Sequence, residues 1–269
     1  MPSLDSEGFD SKRSIATIVK ASCASKGVLI PPPYPYSSIK RLIDVDEDEN
    51  VTVSEDTEDT LADDIVEAAE ELAYTERGQG GVETDVSVTA SLAALFDRDC
   101  AEAKELKPRL WLAFHDESIV GMLVACLWTR DDTLGTTRFN ADACSRHRIP
   151  RFSGTNTLFV DVVSAGGRPH GVGALLLLSA YLLVSRSRTL EYLCTIAVTQ
   201  QGRTLCERLG MHSHAYREGG AQRALCWAKG GELTASDINS RLRRSQAVLD
   251  QCWRTGLTAR TRDTVYPRC

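Results

Sequence analysis

The chain has 269 residues, of which 42% are hydrophobic and 25% charged, with a formal net charge of −6. That size suits one large domain or one domain with extensions, and the composition is that of an ordinary globular protein. No apolar run approaches the roughly 18 residues a membrane-spanning helix needs, so no membrane contact is expected.

The acidic start (Asp5, Glu7, Asp10) argues against a secretory signal. Nine cysteines without a CxxC pair argue against a disulfide framework and for a cytoplasmic or other reducing compartment. Cys144 and His147 alone supply too few ligands for zinc, so no metal is expected. The charge is unevenly spread. Between Asp44 and Glu76 stand fifteen acidic residues and no Lys or Arg, whereas from Arg77 onward 25 basic residues face 19 acidic ones. The acidic block reads as a solvated linker and helix face, or as an attractor for a cationic partner.

Residues 1–45 read as an irregular arm, because Ser and small residues dominate and Pro31-Pro32-Pro33-Tyr34-Pro35 suits polyproline II rather than helix or central strand. A globular unit is expected over 46–230. It opens with a short strand at Val51–Val53 and an amphipathic helix over 60–75 carrying Leu61, Ile65, Ala68 and Leu72. A second helix is expected over 86–105, ended by Pro108.

Arg109–His115 and Ile119–Trp128 read as a hairpin of two largely apolar strands. Residues 129–156 form a long polar, Arg-rich connection. A strand over 157–163 leads into the glycine stretch Ser164–Gly173 and an apolar helix over 171–185. Leu190–Val198 is a buried strand and Gln200–Leu209 a short helix with Gly210 as its C-cap. Two short strands follow around 211–217 and 223–229. The remainder, 231–269, is a C-terminal helix and basic tail. Arg-rich as that tail is, it holds two aromatics in an acidic chain, which favours docking to a protein partner over nucleic acid.

Strand, glycine loop and helix together place free backbone N–H groups at a helix N-terminus, a site for a phosphate-like anion. Arg168, Gly171 and Gly173 stand in the Arg-x-x-Gly-x-Gly spacing. With the order of elements around it, this pattern resembles the GNAT (GCN5-related N-acetyltransferase) superfamily over about 50–230. Cys206-Glu207-Arg208-Leu209-Gly210-Met211 resembles that family's Tyr-x-x-Leu-Gly-Phe segment. The resemblance implies an α/β (α+β) fold with a GNAT-like central mixed sheet flanked by helices.

It also implies that acetyl-CoA or another acyl-CoA is held by Arg168, His170, Gly171, Val172, Gly173 and Ala174. Val163 and Ala165 would pair with the pantetheine arm, and Thr199 stands where the family commonly has Asn. Pro169 departs from the pattern, since it has no N–H to donate. For the reaction, Asp161 is the only acidic residue on the strand before the cradle and is the candidate base. Glu83 and Asp85 are secondary candidates. Cys206 occupies the usual Tyr position and is the candidate acid, with Tyr192 or Tyr216 as substitutes.

The expected activity is N-acetyl transfer to a primary amine of a small molecule or protein lysine, polycationic if the acidic block lines the substrate side. The alternative is an inactive GNAT-fold module that serves as a structural or interaction component, since the usual Tyr and Asn are missing. A protein partner could engage the N-terminal arm or the C-terminal helix.

Overall fold

The computed structural model describes residues 5–35, 38, 65, 68, 107–128, 149–165, 169–218, 220–234 and 238, with backbone alone for 5–14 and 218. Helix α1 spans Asp5–Ser25, strand β1 Val28–Leu29 and strand β2 Tyr34–Pro35. The hairpin is β3 (Arg109–His115) and β4 (Ser118–Leu127). Strand β5 (Thr157–Ala165) leads to α2 (Val172–Arg186), then β6 (Tyr192–Ala197) and α3 (Gln200–Leu209). Strands β7 (His212–Glu218) and β8 (Ala221–Lys229) complete the described elements.

One sheet runs in the order β1-β3-β4-β5-β6-β8-β7, with β2 paired to β3 off that path. All pairings are antiparallel except β5 with β6. That pair is joined through α2, because a parallel pair needs a crossover connection.

The expected irregular N-terminal arm is corrected. Residues 5–25 are helical, and β1 joins the sheet against β3 through Val28↔His115 and Leu29↔Phe114. The sheet therefore starts before residue 50. The reason lies in α2, whose sequence VGALLLLSAYLLVSR is apolar on every side. A helix of that kind needs cover on both sides. The sheet covers one side, and Ile15, Val19 and Cys23 of α1, spaced four apart, join the same core cluster on the other. The proline-rich stretch does keep to the sheet's margin, since β2 is a two-residue strand beside β3.

On the other face of the sheet lie two smaller clusters. Leu110, Leu112, Met122, Val124 and Val162 pack with Ile65 and Ala68, two helical positions of the predicted 60–75 segment. Trp128, Phe159, Cys194, Leu225 and Trp227 form the other cluster with Ile149, and Phe152 packs against it. The end of the long 129–156 connection is therefore core rather than solvated loop. The predicted strand at 51–53 and the helix over 86–105 lie outside the described residues. So does the C-terminal helix apart from Ile238, which is helical and buried.

Candidate acyl-CoA site

The site starts from a break in the sheet. Strands β5 and β6 pair in parallel from Thr157↔Tyr192 to Val160↔Thr195 and no further. β6 continues against β8 as far as Ala197↔Ala224, while β5 continues against β4 as far as Ala165↔Gly121. The two strands thus part after Val160.

Asp161 marks the parting. The register of β4 with β5 steps from Ala125↔Val160 to Val124↔Val162, leaving Asp161 as the extra residue of a β-bulge. A bulge raises local twist and re-aims the strand. It also resets the alternation. Val160 and Val163, three residues apart, both face the α2 core cluster, while Val162 faces the opposite cluster. Asp161 itself is half-buried.

Gly171 opens α2 in a left-handed conformation (φ +90°, ψ 7°), which glycine adopts without strain. Gly171 has no side chain with which to cap the helix, and the first turn holds no acidic residue. Leu175 N–H reaches Gly171 O at 3.2 Å, so the N–H groups before it lie ahead of the helical ladder. Val172 and Ala174 are buried, and Pro169 and His170 are half-buried.

The start of α3 is different. Thr199 Oγ1 accepts from Gly202 N–H at 3.0 Å, so this helix carries its own cap. Among the described residues α2 starts without such a side-chain cap. The hydroxyl of Thr199, expected at the cofactor, is engaged in that cap.

Gly173 lies over the parted strand. A methyl there would meet Leu205, Ala165 and Val163 at 3.7–3.9 Å, which is ordinary contact. Close packing is therefore not what calls for glycine at 173. It is what calls for glycine at 121, where a methyl would stand 2.8 Å from Val172 Cγ1 and 3.1 Å from Ser164 O. The apolar run around Gly121 carries no local signal of this contact.

Lys26, in the turn after α1, reaches the same helix end. Its Cε and Nζ lie 3.8 and 3.9 Å from the Cβ position that Gly171 lacks. A cation thus stands beside the open helix N-terminus, supplied by the segment that was expected to be irregular. Nothing in the glycine motif signals it, because 145 positions separate Lys26 from Gly171 in the sequence.

Cys206 is turned into the core beside Cys226 and is 3% exposed. The neighbouring Cys226 thiol, and then burial, hold its pKa well above the usual thiol value. Tyr192 and Tyr216 pack on the aromatic cluster of the face away from α2. Arg168, Glu83, Asp85, Cys144, His147 and the acidic side chains of the 44–76 block lie outside the described residues. Among the described residues no group of three His, Cys, Asp or Glu side chains could hold a metal, and no helix is long and apolar enough to cross a membrane.

No protein-family model and no curated protein matches the chain. Among solved structures it is similar to the acetyltransferase of GNAT family from Streptococcus pneumoniae, at 20% identity and a TM-score of 0.36 over 61% of this chain and 93% of that one. It is similar to Arabidopsis thaliana NAA60 in complex with a bisubstrate analogue, at 12% identity and a TM-score of 0.41 over 61% and 92%. It is also similar to a GNAT family acetyltransferase from Elizabethkingia anophelis with acetyl-CoA bound, at 11% and 0.35 over 76% and 98%. The mixed sheet flanked by helices agrees with the α/β architecture expected from the sequence. The strand order, the break after Val160 and the glycine-led helix are the parts of the fold that build this site.

Proposed function

We propose that the chain is an acyl-CoA-dependent N-acyltransferase, with acetyl-CoA as donor and a primary amine of a small molecule or protein lysine as acceptor. The observation that carries this is the uncapped N-terminus of α2 set beside a strand pair that parts after Val160. The open helix end suits a pyrophosphate, and the parted edge of β5 suits an extended amide-bearing arm.

In this reading the N–H groups of Gly171, Val172, Gly173 and Ala174 hold the phosphates, with Arg168, His170 and Lys26 supplying charge. Backbone at Val163 and Ala165 aligns the pantetheine. Acetyl-CoA supplies the activated acyl group. Asp161 takes the proton of the attacking amine at the bulge. Cys206, the candidate acid, is turned into the core, so the departing thiolate takes its proton from solvent.

The burial of Cys206 against Cys226 favours a second reading, a GNAT-fold module that binds the nucleotide or a protein partner without turnover. Calorimetry with acetyl-CoA and thiol release with a panel of amines separate the two. Binding with release supports the enzyme, and binding without release supports the module. Absence of binding overturns the acyl-CoA site. In the active case Asp161→Asn is expected to lower kcat at least tenfold with acetyl-CoA affinity within about twofold. An unchanged kcat removes Asp161 from the chemistry.

A further inference from the structure

Helices α2 and α3 flank the break on one face of the sheet. The Cβ position that Gly173 of α2 lacks has Leu205 of α3 and Val163 and Ala165 of β5 at contact distance. In the proposed function the acyl donor uses that face, since its phosphates lie at the start of α2. The amine then reaches Asp161 from the opposite face.

That face is divided at the bulge. Before it, Phe159 belongs to one apolar cluster with Cys194 and Leu225, and after it Val162 belongs to another with Val124. Asp161 stands at the seam between them. Ile196 of β6 borders the same seam. It packs on the first cluster, is half-buried, and follows Thr195, the last β6 residue paired with β5. Asp161 is the only charged residue in β4, β5 and β6. The next strand, β8, brings Arg223 to this face two positions from Leu225, and that residue is a cation, not a second carboxylate.

We propose that the acceptor is a primary amine with one ammonium on an apolar stem, the ammonium at Asp161 and the stem against Ile196, which makes Ile196 a specificity-determining residue. The role as acceptor rests on the acyltransferase reading, whereas the binding preference of the seam does not. A single carboxylate pairs with a single ammonium. A second ammonium on the same stem would be desolvated beside Ile196 with no carboxylate of these strands to meet it. Each methylene of the stem, by contrast, gains by leaving water. A polycationic acceptor, the choice that an acidic substrate side would favour, is therefore disfavoured.

The test measures binding of butylamine, pentylamine, hexylamine and hexamethylenediamine to the full chain by calorimetry, with CoA present and absent. Affinity is expected to rise about two- to fourfold per methylene along the monoamines. Hexamethylenediamine is expected to bind about tenfold more weakly than hexylamine. Ile196→Asp should reverse that order while acetyl-CoA affinity stays as in the wild type, with the thermal midpoint confirming folding. If Ile196→Asp does not fold, Ile196→Thr replaces it and should flatten the monoamine series. Absence of amine binding, a flat series in the wild type, a diamine that binds as tightly as hexylamine, or a preference unchanged in the Ile196 variant overturns the proposal.

The two readings fail separately. A graded monoamine series without acetyl-CoA binding removes the acyltransferase and leaves the amine site. Turnover of acetyl-CoA with a flat or reversed amine series removes the amine class and leaves the acyltransferase. If the wild type turns over, kcat/KM should follow the same order as affinity.

Discussion

At the scale of single residues, buried polar atoms decide more than their number suggests. Tyr181 of α2 is 1% exposed, and its hydroxyl does two things at once. It donates to Lys229 O at 3.0 Å and accepts from Leu233 N–H at 2.9 Å, tying the end of β8 to the helix. Tyr181→Phe leaves both backbone groups without that partner and should cost about 1–3 kcal/mol, read as a lowered denaturant midpoint. The buried thiols make a second case. Burial raises Cys194 well above the usual range, and contact with Cys226 and burial do so for Cys206. Their neutral form is the native one. This contribution to stability is present below the unfolded thiol pKa of about 8.5 and is lost as pH rises above it toward the folded values. A thiol reagent should label Cys194 and Cys206 at the global unfolding rate, and fast labelling in native buffer would contradict their placement. Gly210 was readable as a C-cap from its sequence position. Whether Asp161 lies on a bulge was not, because a bulge is a property of the pairing with β4.

At the scale of elements, the first turn of α2 rests on β4 because Gly121 has no side chain. In Gly121→Ala the new methyl would meet Val172 Cγ1 at 2.8 Å, so the start of α2 must shift. Overpacking of this kind costs about 1–3 kcal/mol. Affinity for acetyl-CoA should fall several-fold as well, although residue 121 lies on the sheet and not in the cradle, and unchanged affinity would show that the cradle tolerates the shift. Helix α1 bears on the same site from the other side through Lys26. Lys26→Met should weaken acetyl-CoA binding several-fold at low salt, and the difference should shrink as salt rises, since the ammonium acts by charge. A salt-independent loss would point to packing instead. The hairpin and the β5–α2–β6–α3 run were legible because alternation, apolar runs and glycine punctuation report local structure. Helix α1 was harder to see. Its apolar residues Ile15, Val19 and Cys23 do stand at helical spacing, but Ser and Gly dilute the signal, and the demand for the helix comes from α2, about 150 residues later.

At the scale of the whole molecule, the described elements share one sheet with α2 at the centre of its main core cluster. The β7–β8 end is fastened by His212 and Glu232, whose Nε2 and Oε1 are 2.6 Å apart, and by Lys229 N–H donating to Glu232 Oε2 at 2.9 Å. Partial burial pushes the Glu232 carboxyl up, but its partners His212 and Lys229 win and the net shift is downward. A lowered carboxylate stabilises above its unfolded value, about 4.3, and that stabilisation is lost as pH falls through the folded value. The thermal midpoint of Glu232→Gln should therefore lie below that of the wild type near pH 6, with the gap closing below about pH 4. A gap independent of pH would mean that the hydrogen-bond geometry, not the charge, is what matters. By itself the sequence determined the sheet-forming runs, the helix that follows the glycines and the residue types at the cradle, because backbone propensity and apolar period act over a few residues. The tertiary structure alone decided that β5 and β6 part after Val160, that Asp161 stands at the parting, and that Lys26 and Gly121 flank the open helix end. Each of these depends on register or packing between segments far apart in the chain, which local periodicity does not encode.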